Sequence, residues 1–330
     1  MAGTAHVSVP ACHLAAGAHP AVTDPEGRSR RHFQSARSLA RAHWERRLFY
    51  YIRAAAWAAC ALPGRAAVPV SRLLALAVLA SPRSARYRHF VALHQSRARG
   101  VVLEGPARDA AVREAFASYA RYWMESLRLP TMPAEQVDAA FTIEGFEHIQ
   151  AAVDEGTGAI LALPHVGGWE VGGSWLVRQG VSLSVVVEAL QPPELFQWFA
   201  DLRKSQGMTV IPLTKSAGVS VVRALRANRV VALVSDRDIA GGGVAVDFFG
   251  ERTRLPPGPA ALASRLGIPL LPTAVYFNGA GHHAVVRPPL SLEGDPATIT
   301  QALAHELEDL IRAAPEQWHL FQPNWPSDRL

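Results

Sequence analysis

From about residue 140 onward the chain alternates short, β-rich apolar runs with helical stretches, and that alternation limits the folds open to it. The runs are 159–163 (AILAL), 182–187 (SLSVVV), 208–211 (MTVI), 230–235 (VVALVS) and 270–276 (LLPTAVY). Helical patterns fall between them at about 169–179, 193–206, 216–228 and 257–266. Short β-rich apolar runs separated by helices imply an α/β fold with a largely parallel sheet covered on both faces. Sheets of that kind bind ligands outside the carboxyl ends of their strands. The residues just beyond each run are therefore the first place to look for chemistry.

The segments ahead of the sheet read differently. Residues 1–36 lack hydrophobic periodicity and are expected to form a disordered leader. The stretch 37–135 is expected to be helical, followed by an α/β core over 136–330, the whole of 37–330 forming one compact unit. Arg37, Arg41, Arg46, Arg47 and Arg53 sit beside Trp44, Phe49, Tyr50, Tyr51 and Trp57. Basic and aromatic residues mixed in this way suit a helix lying in a membrane interface, and equally an amphipathic helix packed on its own domain. A further helix, 107–128, carries Phe116, Tyr119, Tyr122, Trp123 and Leu127 at helical spacing and reads as core. The apolar stretch 54–80 is interrupted by Pro63, Arg65, Pro69 and Arg72, so no segment reaches the roughly 18–20 apolar residues of a membrane span. No secretory signal is readable, and two cysteines, Cys12 and Cys60, give no disulfide or zinc spacing.

The formal charge is +5, carried almost wholly by arginine, since Lys204 and Lys215 are the only lysines. Arginine forks suit phosphate-bearing partners, but the sign of the charge does not choose among nucleic acid, lipid and nucleotide. Neither G-x-x-x-x-G-K-[ST] nor a strand followed by G-x-G-x-x-G is present, and G-x-S-x-G is missing too.

The first strand run ends in PHVGGWE, 164–170. On one ideal helix, residues five apart lie about 140° apart, so His165 and Glu170 would not share a face. The pair makes sense with His165 in a loop, a tight turn at Gly167 and Gly168, and Glu170 in the first turn of the next helix. Glu170 is then expected to reach back and orient the imidazole, giving a general base. The bland alternative is a core histidine beside a helix-capping acid. No second histidine or cysteine stands at zinc-ligand spacing nearby, so no metal is indicated. His282 and His283 lie in a glycine-flanked turn and read as solvated. A second strand ends in VSDRD, 234–238, which brings Asp236, Arg237 and Asp238 to the same sheet edge, and VDFFGERTRLPPGPAALA follows at 246–263.

Taken together, PHVGGWE, the strand-ending SDRD and VDFFGERTRLPPGPAALA resemble the lipid A biosynthesis acyltransferase superfamily. Within it the likeness is to the actinobacterial phosphatidylinositol mannoside acyltransferases. It extends to ASYARYWMESLRLP (117–130), EALQPPELFQWFADLRKSQGMTVIPL (188–213) and EQWHLFQPNW (316–325). The resemblance implies a peripheral enzyme at the cytoplasmic face of the plasma membrane. It would move a fatty acyl group, palmitoyl for instance, from acyl-CoA to a mannose hydroxyl of a phosphatidylinositol mannoside. It implies acyl-CoA as co-substrate with no bound cofactor, an anionic membrane surface as partner, and no nucleic acid. His165 matches the family's catalytic histidine and Glu170 its acidic partner, where aspartate is usual. Glu188, Arg203 and Asp236 match other polar residues of the site. Arg203 and Arg237 are candidates for binding anionic groups, salt bridges being their other use, and 195–199 (LFQWF) is a candidate wall for the acyl channel. Transfer to another glycolipid or a lysophospholipid, and thioester hydrolysis, are the competing reactions.

Overall fold

The computed structural model describes residue 47 and residues 49–328 except 190 and 240, so the expected leader and Arg37, Arg41, Trp44 and Arg46 lie outside the described residues. Residues Leu48–Leu330 form one compact unit. Helix α1 (49–61) is followed by α2 (Gly64–Ala80), α3 (Ala85–Arg99), α4 (Gly105–Arg128) and the short α5 (Ala134–Ala139). Pro63 stands at the N-cap of α2, where its missing N–H leaves no bond unmade, and α2 also carries Pro69 within its second turn. Among the described residues no single helix is long and apolar enough to cross a membrane; α2 and the segment Pro82–Arg99 together pass that test but are bent by 88°.

After α4 and α5 come β1 (Phe141–Glu144), α6 (Phe146–Asp154), β2 (Ala159–Leu163), α7 (Trp169–Arg178), β3 (Leu183–Glu188) and α8 (Pro193–Ser205). The chain continues through β4 (Thr209–Leu213), α9 (Ala217–Arg226), β5 (Val230–Val234), β6 (Val244–Phe248), β7 (Glu251–Leu255), α10 (Gly258–Leu266), β8 (Leu270–Asn278), β9 (Gly281–Val286) and α11 (Pro296–Ala313). Seven strands make one sheet in the order β1-β9-β8-β2-β5-β3-β4. Five of them, β8 to β4, run parallel; β9 turns back antiparallel on β8 and carries β1 parallel to itself.

Strand β2 is central and buried along its whole length. Alternation sends Ile160 and Ala162 into the core cluster shared with α9, α10 and α11, while Ala159, Leu161 and Leu163 enter the cluster beneath α6 and α7. This is why the run AILAL has no polar position: both faces of a parallel sheet are covered.

All five sequence-read strands and all four helices between them are present. The sequence reading does not include β1, α6, β6, β7, β9 and α11. Strand β9 corrects the reading of its histidines: in the hairpin with β8 alternate residues point inward, so His282 is buried and bonded to Glu125 of α4. Strands β6 and β7 form a separate hairpin whose two connecting residues, Phe249 and Gly250, both have positive φ, the tight turn that matches strand twist.

Candidate active site

The parallel register between β2 and β5 builds the centre of the site. Leu163 lies opposite Val234, and two residues further along each chain the same offset brings His165 against Asp236. His165 Nδ1 meets Asp236 Oδ1 at 2.6 Å, and the His165 backbone amide donates to Oδ2 at 3.0 Å. Trp318 Nε1 donates to the same Oδ2 at 2.8 Å. Asp236 is wholly buried. Burial alone would raise its carboxyl, but the His165 ring, the His165 amide and the Trp318 indole outweigh it and hold it below the usual carboxylate range. With Nδ1 committed to the carboxylate, Nε2 is the ring atom left to meet a substrate.

The loop that follows is held by its amides. Val166 N donates to the Pro164 carbonyl, Gly167 N to that of Gln317 and Gly168 N to that of Val275, at 2.8, 3.0 and 2.8 Å. Gly167 adopts φ +60°, and a β-carbon there would stand 2.1 Å from the Val275 carbonyl oxygen. At Gly168 a β-carbon would fall 2.6 Å from His282 Cδ2. The Gly-Gly step therefore answers a close approach of backbone to β8 and β9 as well as a turn.

Glu170 is in the first turn of α7, as its spacing requires, but the expected bond to His165 is not the one formed. Its carboxylate is forked by Arg203 of α8: Nε lies 3.1 Å from each oxygen and Nη2 bonds Oε1. The two side chains are 6% and 16% exposed, which makes this a buried ion pair. Burial opposes the Arg203 charge, yet Glu170 overcomes it and raises the guanidinium above its ordinary value. Trp169 stands between, edge-on to the His165 ring at 5.7 Å and stacked on Tyr122 at 4.1 Å. The acid on the histidine is thus Asp236, and Glu170 fixes the start of α7 against α8.

His165, Glu188, Arg203, Arg237 and Asp238 line one cleft of about 450 Å³, so the sheet edge gathers most of the sequence-read candidates. Glu188 lies at the end of β3, and Asp238 is occupied by the amides of Gly241 and Gly243. Of the LFQWF segment, Phe196 and Phe199 face this cleft, whereas Leu195 is buried core. A second, narrow cavity of about 90 Å³ adjoins it at Trp169, Arg203 and Val187; Leu161, Leu183, Val275 and Ile149 give it almost wholly apolar walls beneath α6 and α7.

Sequence reasoning missed two contributors. The aromatic stripe of α4, read as core, is divided: Phe116 is core, while Tyr119, Tyr122 and Trp123 line the cleft. The tail 315–328 closes the site from the other side. His319 N donates to the His165 carbonyl at 2.7 Å, and Asn324 Nδ2 to that of Asp236 at 3.1 Å. Asp328 anchors this strap through His94 and Arg97 of α3. The polar residues inside EQWHLFQPNW were the available signal.

Comparison with known proteins follows the same lines. Residues 46–327 match the family model for bacterial lipid A biosynthesis acyltransferase. A phosphatidylinositol mannoside acyltransferase of Mycobacterium tuberculosis (strain ATCC 25618 / H37Rv) is 46% identical over 219 residues, 64% of this chain and 69% of the relative. One from Mycolicibacterium smegmatis is 41% identical over 224 residues, 67% and 74% of the two chains. A lipid A biosynthesis acyltransferase of Haemophilus influenzae is 27% identical over 181 residues, 53% and 55% of the two. With a match that takes in the helices, the sheet edge bearing His165 and the closing strap, the chain belongs to the bacterial lipid A biosynthesis acyltransferase family.

Proposed function

We propose that this protein transfers a fatty acyl group from acyl-CoA, palmitoyl-CoA for example, to a mannose hydroxyl of a phosphatidylinositol mannoside. The observation that carries the chemistry is the His165–Asp236 dyad, with Nε2 free at a cleft that adjoins an apolar cavity. The names of the mycobacterial relatives supply the acceptor. His165 Nε2 removes the proton of the sugar hydroxyl while Asp236 fixes the tautomer and stabilises the imidazolium. The hydroxyl oxygen attacks the thioester carbonyl, and the CoA thiolate leaves with the proton returned by His165. The acyl chain occupies the apolar cavity. Arg237 serves anionic groups of donor or acceptor, Glu188 accepts from sugar hydroxyls, and Arg203 with Glu170 keeps the neck of the cavity in shape.

The protein works at the cytoplasmic face of the membrane through its first helices, the part expected over 37–135. Tyr50, Tyr51 and Trp57 of α1 and Leu73, Leu74, Leu76 and Val78 of α2 are exposed beside Arg53, Arg65 and Arg72. Anionic vesicles should sediment the protein and high salt should release it; equal binding to neutral vesicles would count against an electrostatic surface.

The test of the reaction is label transfer from radioactive palmitoyl-CoA to purified phosphatidylinositol mannosides, wild type against His165→Ala. Label in the glycolipid that vanishes with the substitution supports the reading. Label appearing only as free fatty acid would replace it with thioester hydrolysis.

A further inference from the structure

The transfer proposed above creates an alkoxide on the former thioester carbonyl, and a donor must meet it. The loop amides near His165 cannot, because each is already spent. The amide of His165 goes to Asp236, that of Val166 to the Pro164 carbonyl, that of Gly167 to Gln317 and that of Gly168 to Val275. The tail strap offers another donor. Val166 and Trp318 form an antiparallel bridge, and the His319 amide bonds the His165 carbonyl at 2.7 Å, so His165 and His319 lie opposite each other. Side chains of directly opposed residues in an antiparallel pair stand on the same face, with β-carbons about 4.5–5.5 Å apart. Both residues line the same cleft.

His319 has a peculiarity that packing does not explain. Its Nε2 meets Ser118 Oγ at 2.8 Å, but its Nδ1 is the one buried side-chain nitrogen or oxygen among the described residues with no hydrogen-bond partner. An unmet buried polar group costs about 1–3 kcal/mol. Around the ring stand Tyr119, Tyr122, Trp169 and Phe277, none of which supplies a partner. In the tautomer required by the proposal below, the Ser118 hydroxyl donates to Nε2 and the ring proton sits on Nδ1.

We propose that His319 is a further catalytic residue whose Nδ1–H donates to the oxyanion of the tetrahedral intermediate. This rests on the acyl-transfer reading. The acceptor oxygen forms its bond to the carbonyl carbon as His165 takes the hydroxyl proton, and the carbonyl electron pair moves onto oxygen. His319 hydrogen-bonds that oxygen without giving up its proton. Collapse restores the carbonyl, breaks the carbon–sulfur bond and sends the His165 proton to the CoA thiolate. A neutral ring suits the role. Burial above all, and then the neighbouring His165, push the His319 pKa down to about 3, against a smaller opposing effect of Asp236. The ring therefore stays neutral while His165 cycles through its protonated form, and two adjacent imidazolium ions are avoided.

Amide replacements separate the two ring nitrogens, since asparagine places its NH₂ near Nδ1 and glutamine near Nε2. His319→Gln should lower kcat for palmitoyl transfer about 10²–10³-fold, the usual loss of one oxyanion donor, with KM for palmitoyl-CoA little changed. His319→Asn should stay within about tenfold of wild type on the same scale. Ser118→Ala, which frees Nε2 to carry the proton, should fall between them and decides the matter if either amide variant fails to fold. Equal activity of His319→Gln and wild type, equal loss in both amide variants, or an undisturbed Ser118→Ala would each overturn the assignment. Absence of transfer by the wild type would instead overturn the reaction on which it rests.

Discussion

Two histidines in this molecule are each bonded to a buried carboxylate at almost the same distance. His165 meets Asp236 at 2.6 Å, and His282 meets Glu125 at 2.8 Å. The side chain of His165 is 25% exposed and that of His282 only 5%. His165 gives Nδ1 to its acid and keeps Nε2 for the cleft. His282 gives Nε2 to Glu125, and its ring lies against the backbone of Gly168. Glu125 is bonded in turn by Arg121, whose other nitrogens hold the carbonyls of Gly279 and Gly281 at the β8–β9 turn. One pair is a reagent and the other supports the loop that bears it. The same two residue types do different work because one ring nitrogen faces a cleft and the other ring is walled in.

The largest effect should come from His165→Ala, a loss of acyl transfer of about 10³–10⁴-fold with little change in melting temperature. A variant that kept its activity would erase the distinction between the pairs. Asp236→Asn comes next: the amide leaves the ring in the wrong tautomer, and kcat at saturating palmitoyl-CoA should drop about 10²–10⁴-fold. On the other side of the loop the sign of the outcome reverses. Glu125→Ala breaks a buried pair and should cost about 3–5 kcal/mol in urea unfolding, while the folded fraction keeps kcat within about tenfold. A deep loss of kcat at full stability would make the second pair part of the chemistry.

The smallest effect is the pH dependence of that support. Burial would raise the Glu125 carboxyl, but His282 and then Arg121 outweigh it and leave it below the ordinary value. The stability it contributes is therefore complete above the unfolded carboxylate pKa of about 4 and is lost as pH falls through the lower folded value. Unfolding free energies measured stepwise below pH 5 should fall less steeply in Glu125→Gln than in wild type. Identical slopes would show that Glu125 titrates alike in both states.

Much of the sheet was legible because β2 is buried on both faces and β5 is apolar along its length, which leaves runs with no polar alternation. The position of His165 just past a strand end followed from the same runs. Which acid holds it did not, because Glu170 is near in sequence whereas Asp236 is brought close by the pairing of β2 with β5. Strand order is a property of the whole sheet, and local spacing cannot express it. His282 was misread for a related reason: glycines around it suggested a solvated turn, while the hairpin turns one histidine of the adjacent pair inward. The family resemblance named Asp236 among the site residues without giving its partner.

The strap formed by the tail has a consequence for synthesis. A nascent chain emerges from its amino end, so the sheet and His165 are complete well before residues 318–324 exist. Until those residues arrive, Asp236 lacks the Trp318 indole and the Asn324 side chain at its own carbonyl, and the His165 carbonyl lacks its amide. The growing polypeptide therefore has the β2–β5 register that sets His165 against Asp236 before it has the strap that braces them, and that bracing arrives only once residues 318–324 have been made.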